Sequence, residues 1–226
     1  MHEFLSGPLF VLSLLVFFVG LAVRIVLYVR GLDWKLERVA YSYAGAAGVK
    51  GAVWSIFKWV IPFGTHGWRK QVFATVAFFL FHLGVVICPL FLLQHTQLIQ
   101  SWFGFSLPAL PACAGDVCAL LGLLGGILLL LRRITLPQVR LLTDWKDIAL
   151  LGLCLFTIGT GLLARFQLGT YDAMLGAHML SGDLILLLAP FTKLSHIALF
   201  FASRAQLGID FAVKRGGASR GPLFPW

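Results

Sequence analysis

Five stretches of this chain stay apolar long enough to cross a bilayer, near residues 7–29, 72–95, 117–131, 148–166 and 175–202. A spanning helix needs about 20 mostly apolar residues, and the third stretch is the shortest. Turn-forming residues gather between them: Pro62, Gly64 and Gly67 before the second stretch, Pro108 and Pro111 before the third. The pattern predicts an all-α fold, an integral membrane five-helix bundle forming one domain over residues 1–226 with no soluble module. The first stretch runs on into a full span with no small-residue cleavage site, so it is expected to be kept rather than removed as a signal. The intervening stretch 33–60 has another character. It mixes Trp34, Trp54 and Trp59 with Lys35, Arg38, Lys50 and Lys58, and reads as an amphipathic segment. The small residues of YAGAAGVKGAV are expected to break its helix. Trp and Lys together suit the headgroup layer; a docking surface for a cytoplasmic partner is the alternative.

Composition supports the membrane reading. Of 226 residues, 59% are hydrophobic and 12% charged, too apolar for a soluble domain. Charge then sets the orientation. The 1–2 connection carries Arg30, Lys35, Arg38, Lys50, Lys58, Arg69 and Lys70. The 3–4 connection carries Arg132, Arg133, Arg140 and Lys146, and the tail carries Arg204, Lys214, Arg215 and Arg220. The N-terminal stub and the 2–3 and 4–5 loops carry no Lys or Arg. By the positive-inside rule the N-terminus lies outside and the C-terminus in the cytoplasm. The net charge of +9 therefore reflects topology and anionic lipid; with no soluble basic face it does not indicate nucleic acid. Of four cysteines, Cys88 and Cys154 fall within spans as small core residues. Cys113 and Cys118 fall outside, where a disulfide is one option. No CxxC pattern for an iron–sulfur cluster occurs.

Histidines carry the candidate chemistry. His178 and His196 are 18 residues apart in one apolar stretch. On one helix that is five turns and about 27 Å, with both rings on one face. His82 and His95 lie on the second stretch, about 20 Å apart but roughly 140° out of phase, with Pro89 between them to shift the register. Paired by depth, His82 meets His196 on the inner side and His95 meets His178 on the outer side. Imidazole is a standard axial ligand of haem iron, and ionisable residues inside a membrane are usually functional. The expectation is two b-type haems, with all four histidines as iron ligands; incidental polar residues are the alternative. His66 and His2 are expected to play no such part. Gly84, Gly176 and Gly182 near the ligands would permit close approach of a flat macrocycle, or simply pack helices. Asp183 and Arg24 are buried charges that would be paired, or lie on a proton path or quinone contact. Lys193, Arg204, Arg69 and Lys70 could neutralise haem propionates or snorkel to the interface.

Three stretches carry a family resemblance: FHLGVV around His82, GGILLLLRRI at 125–134, and HMLSGDLILLLAPFTKLSHI from His178 to beyond His196. Over roughly residues 81–197 they resemble the gamma subunits of respiratory nitrate reductases, five-helix dihaem cytochromes b. The resemblance implies that His82 and His196 hold the inner haem and that His178 is one ligand of the outer haem. In that family the second histidine of helix 2 lies ten residues after the first. Leu92 occupies that position here, and His95 is the nearest substitute. The family's basic residue near its outer quinol site has no counterpart in the outer loop. With its long 33–69 connection, the chain looks more like the cytochrome b subunits of sulfate-reducer membrane redox complexes, notably the high-molecular-weight cytochrome complex. That likeness implies a cytoplasmic iron–sulfur protein, a periplasmic multihaem cytochrome c and other membrane subunits as partners, and the bacterial inner membrane as location. The expected function is electron transfer across the membrane between a periplasmic cytochrome c or a quinol, menaquinone being the candidate, and the iron–sulfur protein. The chain would not be catalytic alone. A haem-free membrane anchor is the rival reading, and a small transporter built on Asp183 and Arg24 a more distant one.

Overall fold

In the computed structural model, residues 2–32 and 45–214 are described. The chain is 86% helical with no strand among these residues. Five helices are long and apolar enough to cross a membrane: α1 (His2–Arg30), α4 (Val72–Phe91), α6 (Ala112–Thr135), α7 (Trp145–Arg165) and a fifth span (Tyr171–Phe191) whose α-helical part is α8 (Tyr171–Leu188). The other helices longer than one turn are α2 (Gly45–Val60), α3 (His66–Lys70), α5 (Leu93–Phe103) and α9 (His196–Lys214). Large apolar side chains project outward along α1, with Leu12, Leu15, Phe18 and Val19 all exposed. That is what a lipid-facing helix presents, since solvent for these residues is hydrocarbon.

Two compact units divide the chain, one of Met1–Leu15 with Phe73–Leu187, the other of Val16–Val72 with Leu188–Trp226. The first centres on Phe81, Leu151 and Cys154, with Val85, Leu129, Leu155, Ile158 and Ile185 packed around them. Without a hydrophobic drive between helices in lipid, close backbone approach supplies the contact energy. Glycine provides it here. A β-carbon on Gly84 would lie 2.6 Å from the Gly122 Cα, and one on Gly126 would lie 2.5 Å from Leu155 Cδ2. The 84 position is thus ordinary helix packing, which settles one of the two readings open for that glycine. At the start of α7, Asp144 and Asp147 form a capping box, and Arg133 bridges to Asp147 at 3.9 Å. At the other end Arg165 pairs twice with Asp116, at 2.9 and 3.2 Å, joining α7 to α6.

In the second unit α2 and α9 run antiparallel. Gly48, Gly51 and Ser55 are buried along one face of α2, and Gly51 sits directly on Gly208 and Ala212. Helix α2 is therefore continuous from Gly45. From Gly45 to Val60 the expected break is absent, because the small residues recur at helical spacing and form a packing seam. The earlier part of that segment, 33–44, lies outside the described residues, as does the tail from 215.

Two further expectations change, and one open alternative is decided. The third span is 24 residues long, not the shortest. Its first turns are small residues, and Asp116 is neutralised by Arg165. Cys113 and Cys118 are both free thiols on α6. Five residues along a helix rise about 7.5 Å, beyond disulfide reach. Most consequentially, His178 and His196 do not share one helix. Helix α8 stops at Leu188, Pro190 sits in a 3-10 turn, Thr192 is extended (φ −123°, ψ −174°), and α9 begins at His196. Proline supplies no N–H and clashes with the preceding turn, so the five-turn, 27 Å separation does not apply.

Candidate functional site

The second span solves its own phase problem. Pro89 brings no N–H to the helical ladder, and the preceding turn widens into a π segment, Leu83–Ile87. The helix ends at Phe91. Leu92 is extended (φ −70°, ψ 139°), and α5 starts afresh at Leu93. The Phe91 carbonyl accepts from Leu110 N at 2.8 Å, pinning this corner. His95 thus stands in the first turn of a new helix rather than at the end of the span. From there its ring reaches His178. The two ring centroids are 5.8 Å apart and the planes 16° from parallel.

Both rings are held through Nδ1. His95 Nδ1 donates to the Cys88 carbonyl at 3.0 Å, and His178 Nδ1 donates to the Thr157 carbonyl at 2.8 Å. A carbonyl only accepts, so Nδ1 carries the proton and Nε2 keeps its lone pair, the tautomer a metal ligand needs. Burial pulls the His95 ring below the ordinary histidine pKa, and the neighbouring His178 adds to this. Neutral imidazole is the ligating form.

Room for the His178 ring comes from Gly161. A β-carbon there would fall 2.8 Å from both Cε1 and Nδ1 of His178. Gly161 is one turn beyond Thr157, so a bare backbone lets the ring lie against α7 and reach that carbonyl. Gly182, one turn along α8 from His178 and on its face, has no heavy atom within 4 Å of where a β-carbon would sit. Open ground therefore lies beside Gly182.

The other two histidines repeat the anchoring. His82 Nδ1 donates to the Phe78 carbonyl at 2.8 Å, with the Phe78 ring 3.9 Å and the Phe81 ring 5.5 Å from its own. His196 Nδ1 donates to the Lys193 carbonyl at 2.9 Å. His82 belongs to the first unit and His196 to the second. Among the described residues no group of three or more His, Cys, Asp or Glu converges on a metal position. A bare ion would need such a group. A haem takes four ligands from its own ring and two from the protein. With metal–imidazole bonds of about 2 Å, an iron between two imidazoles sets ring centres about 6 Å apart. The His95–His178 pair fits that group in spacing and tautomer.

Sequence reasoning did not find Gly161 or the Thr157 carbonyl. The Thr157-to-Gly161 spacing, a small residue four after another, was the available signal. His2, set aside on sequence, bonds the Asp172 carbonyl at 3.0 Å and ties the N-terminus to the start of α8. His66 is exposed on α3, as expected. Asp183 is 4% exposed and its Oδ2 has no hydrogen-bond partner among the described residues. Arg24 is exposed on α1, where its stem can carry the charge toward the interface.

Fold and site define a polytopic α-helical membrane protein with carbonyl-anchored histidines. No known family profile and no solved structure matches the chain. It is 54% identical over 226 residues, covering 100% of both chains, to a protein of Nitratidesulfovibrio vulgaris strain Hildenborough, and it belongs to that protein's family.

Proposed function

We propose that this protein is a dihaem b-type cytochrome subunit of a membrane redox complex. It carries electrons across the bacterial inner membrane, between a periplasmic cytochrome c or quinol and a cytoplasmic iron–sulfur protein. The observation that carries the reading is the His95–His178 pair, near-parallel at 5.8 Å with each Nδ1 committed to a backbone carbonyl. His95 and His178 would hold the outer haem; His82 and His196 would hold the inner one. When bound, haem supplies a one-electron centre whose potential the axial ligands and surroundings tune. The protein's own part is placement. The Cys88, Thr157, Phe78 and Lys193 carbonyls fix the orientation and tautomer of each imidazole. Positive-inside charge puts the His95–His178 pair toward the outer face.

The test is haem quantification with oxidised and dithionite-reduced visible spectra of the purified chain, alone and as His178→Ala and His196→Ala. Two b-type haems are expected for the wild type and one for each variant. A colourless wild-type protein would refute the cytochrome and leave a haem-free anchor for redox subunits. Unchanged haem in either variant would refute that ligand.

A further inference from the structure

Charge in the second unit is one-sided. Asp210 is the one acid among its described residues, against cations that include Lys50, Lys58, Arg69, Lys70 and Arg204. Arg204 is the most constrained of these. Its guanidinium lies over the Trp59 ring, Cζ 4.5 Å from the centroid, half-buried and without an ion pair among the described residues. Trp59 is held in turn by Trp68, whose ring meets it edge-on at 5.5 Å and whose Nε1 donates to the Trp59 carbonyl. The Trp59 indole nitrogen is itself buried and donates to nothing among the described residues. A guanidinium and an indole N–H thus share one ring with no acceptor for either among the described residues. A buried N–H left in that state is costly, and an oxygen-rich anion drawn by the partly exposed guanidinium would give it an acceptor.

Position says which anion. Gln206, two residues from Arg204, accepts a hydrogen bond from Tyr28 near the last turn of the spanning helix α1. Arg204 therefore sits near the level where a span meets the headgroups. The face of α2 opposite its glycine seam is apolar and exposed, through Val49, Val53, Phe57 and Val60. An acidic soluble partner would not suit that face; acyl chains do. Tryptophan and basic residues bordering an apolar face are the signature of the interfacial layer.

We propose that the α2–α9 pair holds an anionic phospholipid, its phosphate taken by Arg204 and the Trp59 indole N–H. The site is independent of haem. The test uses the intact purified chain in detergent, offered phosphatidylglycerol or phosphatidylcholine, with bound lipid counted by native mass spectrometry. Wild type is expected to retain phosphatidylglycerol against an excess of phosphatidylcholine. Arg204→Gln should weaken retention about tenfold or more, the scale of a charge-assisted hydrogen bond. Trp59→Phe, which keeps the ring and removes only the N–H, should weaken it by a smaller factor and carries the test if Arg204→Gln fails to fold. Equal retention by wild type and either variant, or of the two lipids, overturns the proposal. Displacement of the lipid by millimolar inorganic phosphate overturns the lipid as ligand in favour of free phosphate. Loss of haem from Arg204→Gln with lipid retained overturns it as well, by giving the guanidinium to a propionate.

Discussion

Gly161→Ala tests the positioning of His178. The added methyl would stand 2.8 Å from His178 Cε1 and Nδ1, where carbon contacts settle at about 3.5–4.0 Å. The ring must retreat by about 1 Å, which breaks its 2.8 Å bond to the Thr157 carbonyl and frees the tautomer. Overpacking of this kind costs about 1–3 kcal/mol, and the lost hydrogen bond about 1 kcal/mol. Replacing glycine by alanine inside a helix returns about 1 kcal/mol. Net stability should fall by roughly 1–3 kcal/mol. Losing an outer-shell partner typically weakens metal affinity about 10- to 100-fold. The assay is haem per chain and the reduced visible spectrum, beside a thermal melt in detergent. Gly161→Ala should bind the inner haem normally and lose or visibly perturb the outer one. Gly159→Ala is the control: nothing lies within 4 Å of its β-carbon position, so it should keep both haems with equal or slightly higher stability. Two haems with a wild-type spectrum in Gly161→Ala would refute the reasoning, because the crowding would then have no consequence for the ligand.

Two more outcomes follow from the packing. Gly84→Leu should destabilise the first unit by about 3 kcal/mol or more, since even its β-carbon would lie 2.6 Å from Gly122 Cα; a thermal melt of the haem-depleted protein checks this, and a melt unchanged from wild type would show that α4 and α6 do not pack there. The double variant Leu92→His/His95→Leu restores the ten-residue histidine spacing of the resembling family, yet should bind only the inner haem. Leu92 packs toward Gly115 of α6 while position 95 faces His178; two haems in this variant would show that the break at Leu92 does not decide the ligand.

The spans were legible because their signal is additive. Each is a run of some 20 apolar residues, and errors at the ends, the largest at the fifth span, which was expected to run to 202 and ends at Phe191, leave the count of five intact. What composition could not convey was which small residues join helices and which interrupt them. Gly48 and Gly51 read as part of a broken segment, but with Ser55 their spacing of three and four places them on one face, and the helix is whole over Gly45–Val60. Pro190 gave the opposite warning, and it lay within the apolar run that otherwise read as one helix. Apolarity does not reveal a missing N–H, so a break at 189–195 is invisible to hydropathy while plain to hydrogen-bond accounting.

The histidines show why residue type outlasted geometry. Their face and separation were derived from ideal continuous helices, and both spans carrying them are interrupted, at Leu92 and at Thr192. A straight helix would have left His95 roughly 140° from the direction of His82. The interruption removes that constraint: a new helix starts in a new direction, and the ring at its third residue finds a partner on α8. The same break supplies the anchor, because the Cys88 carbonyl beside it lies within 3.0 Å of His95 Nδ1. His196 stands likewise at the first residue of a restarted helix, bonded to a carbonyl of the turn before it. In each span, then, one histidine is set by a regular helix and the other by the turn that ends it. Altering those turns should move the second histidine of each span while leaving the first in place, so ligand position here is controlled by the breaks rather than by helix periodicity.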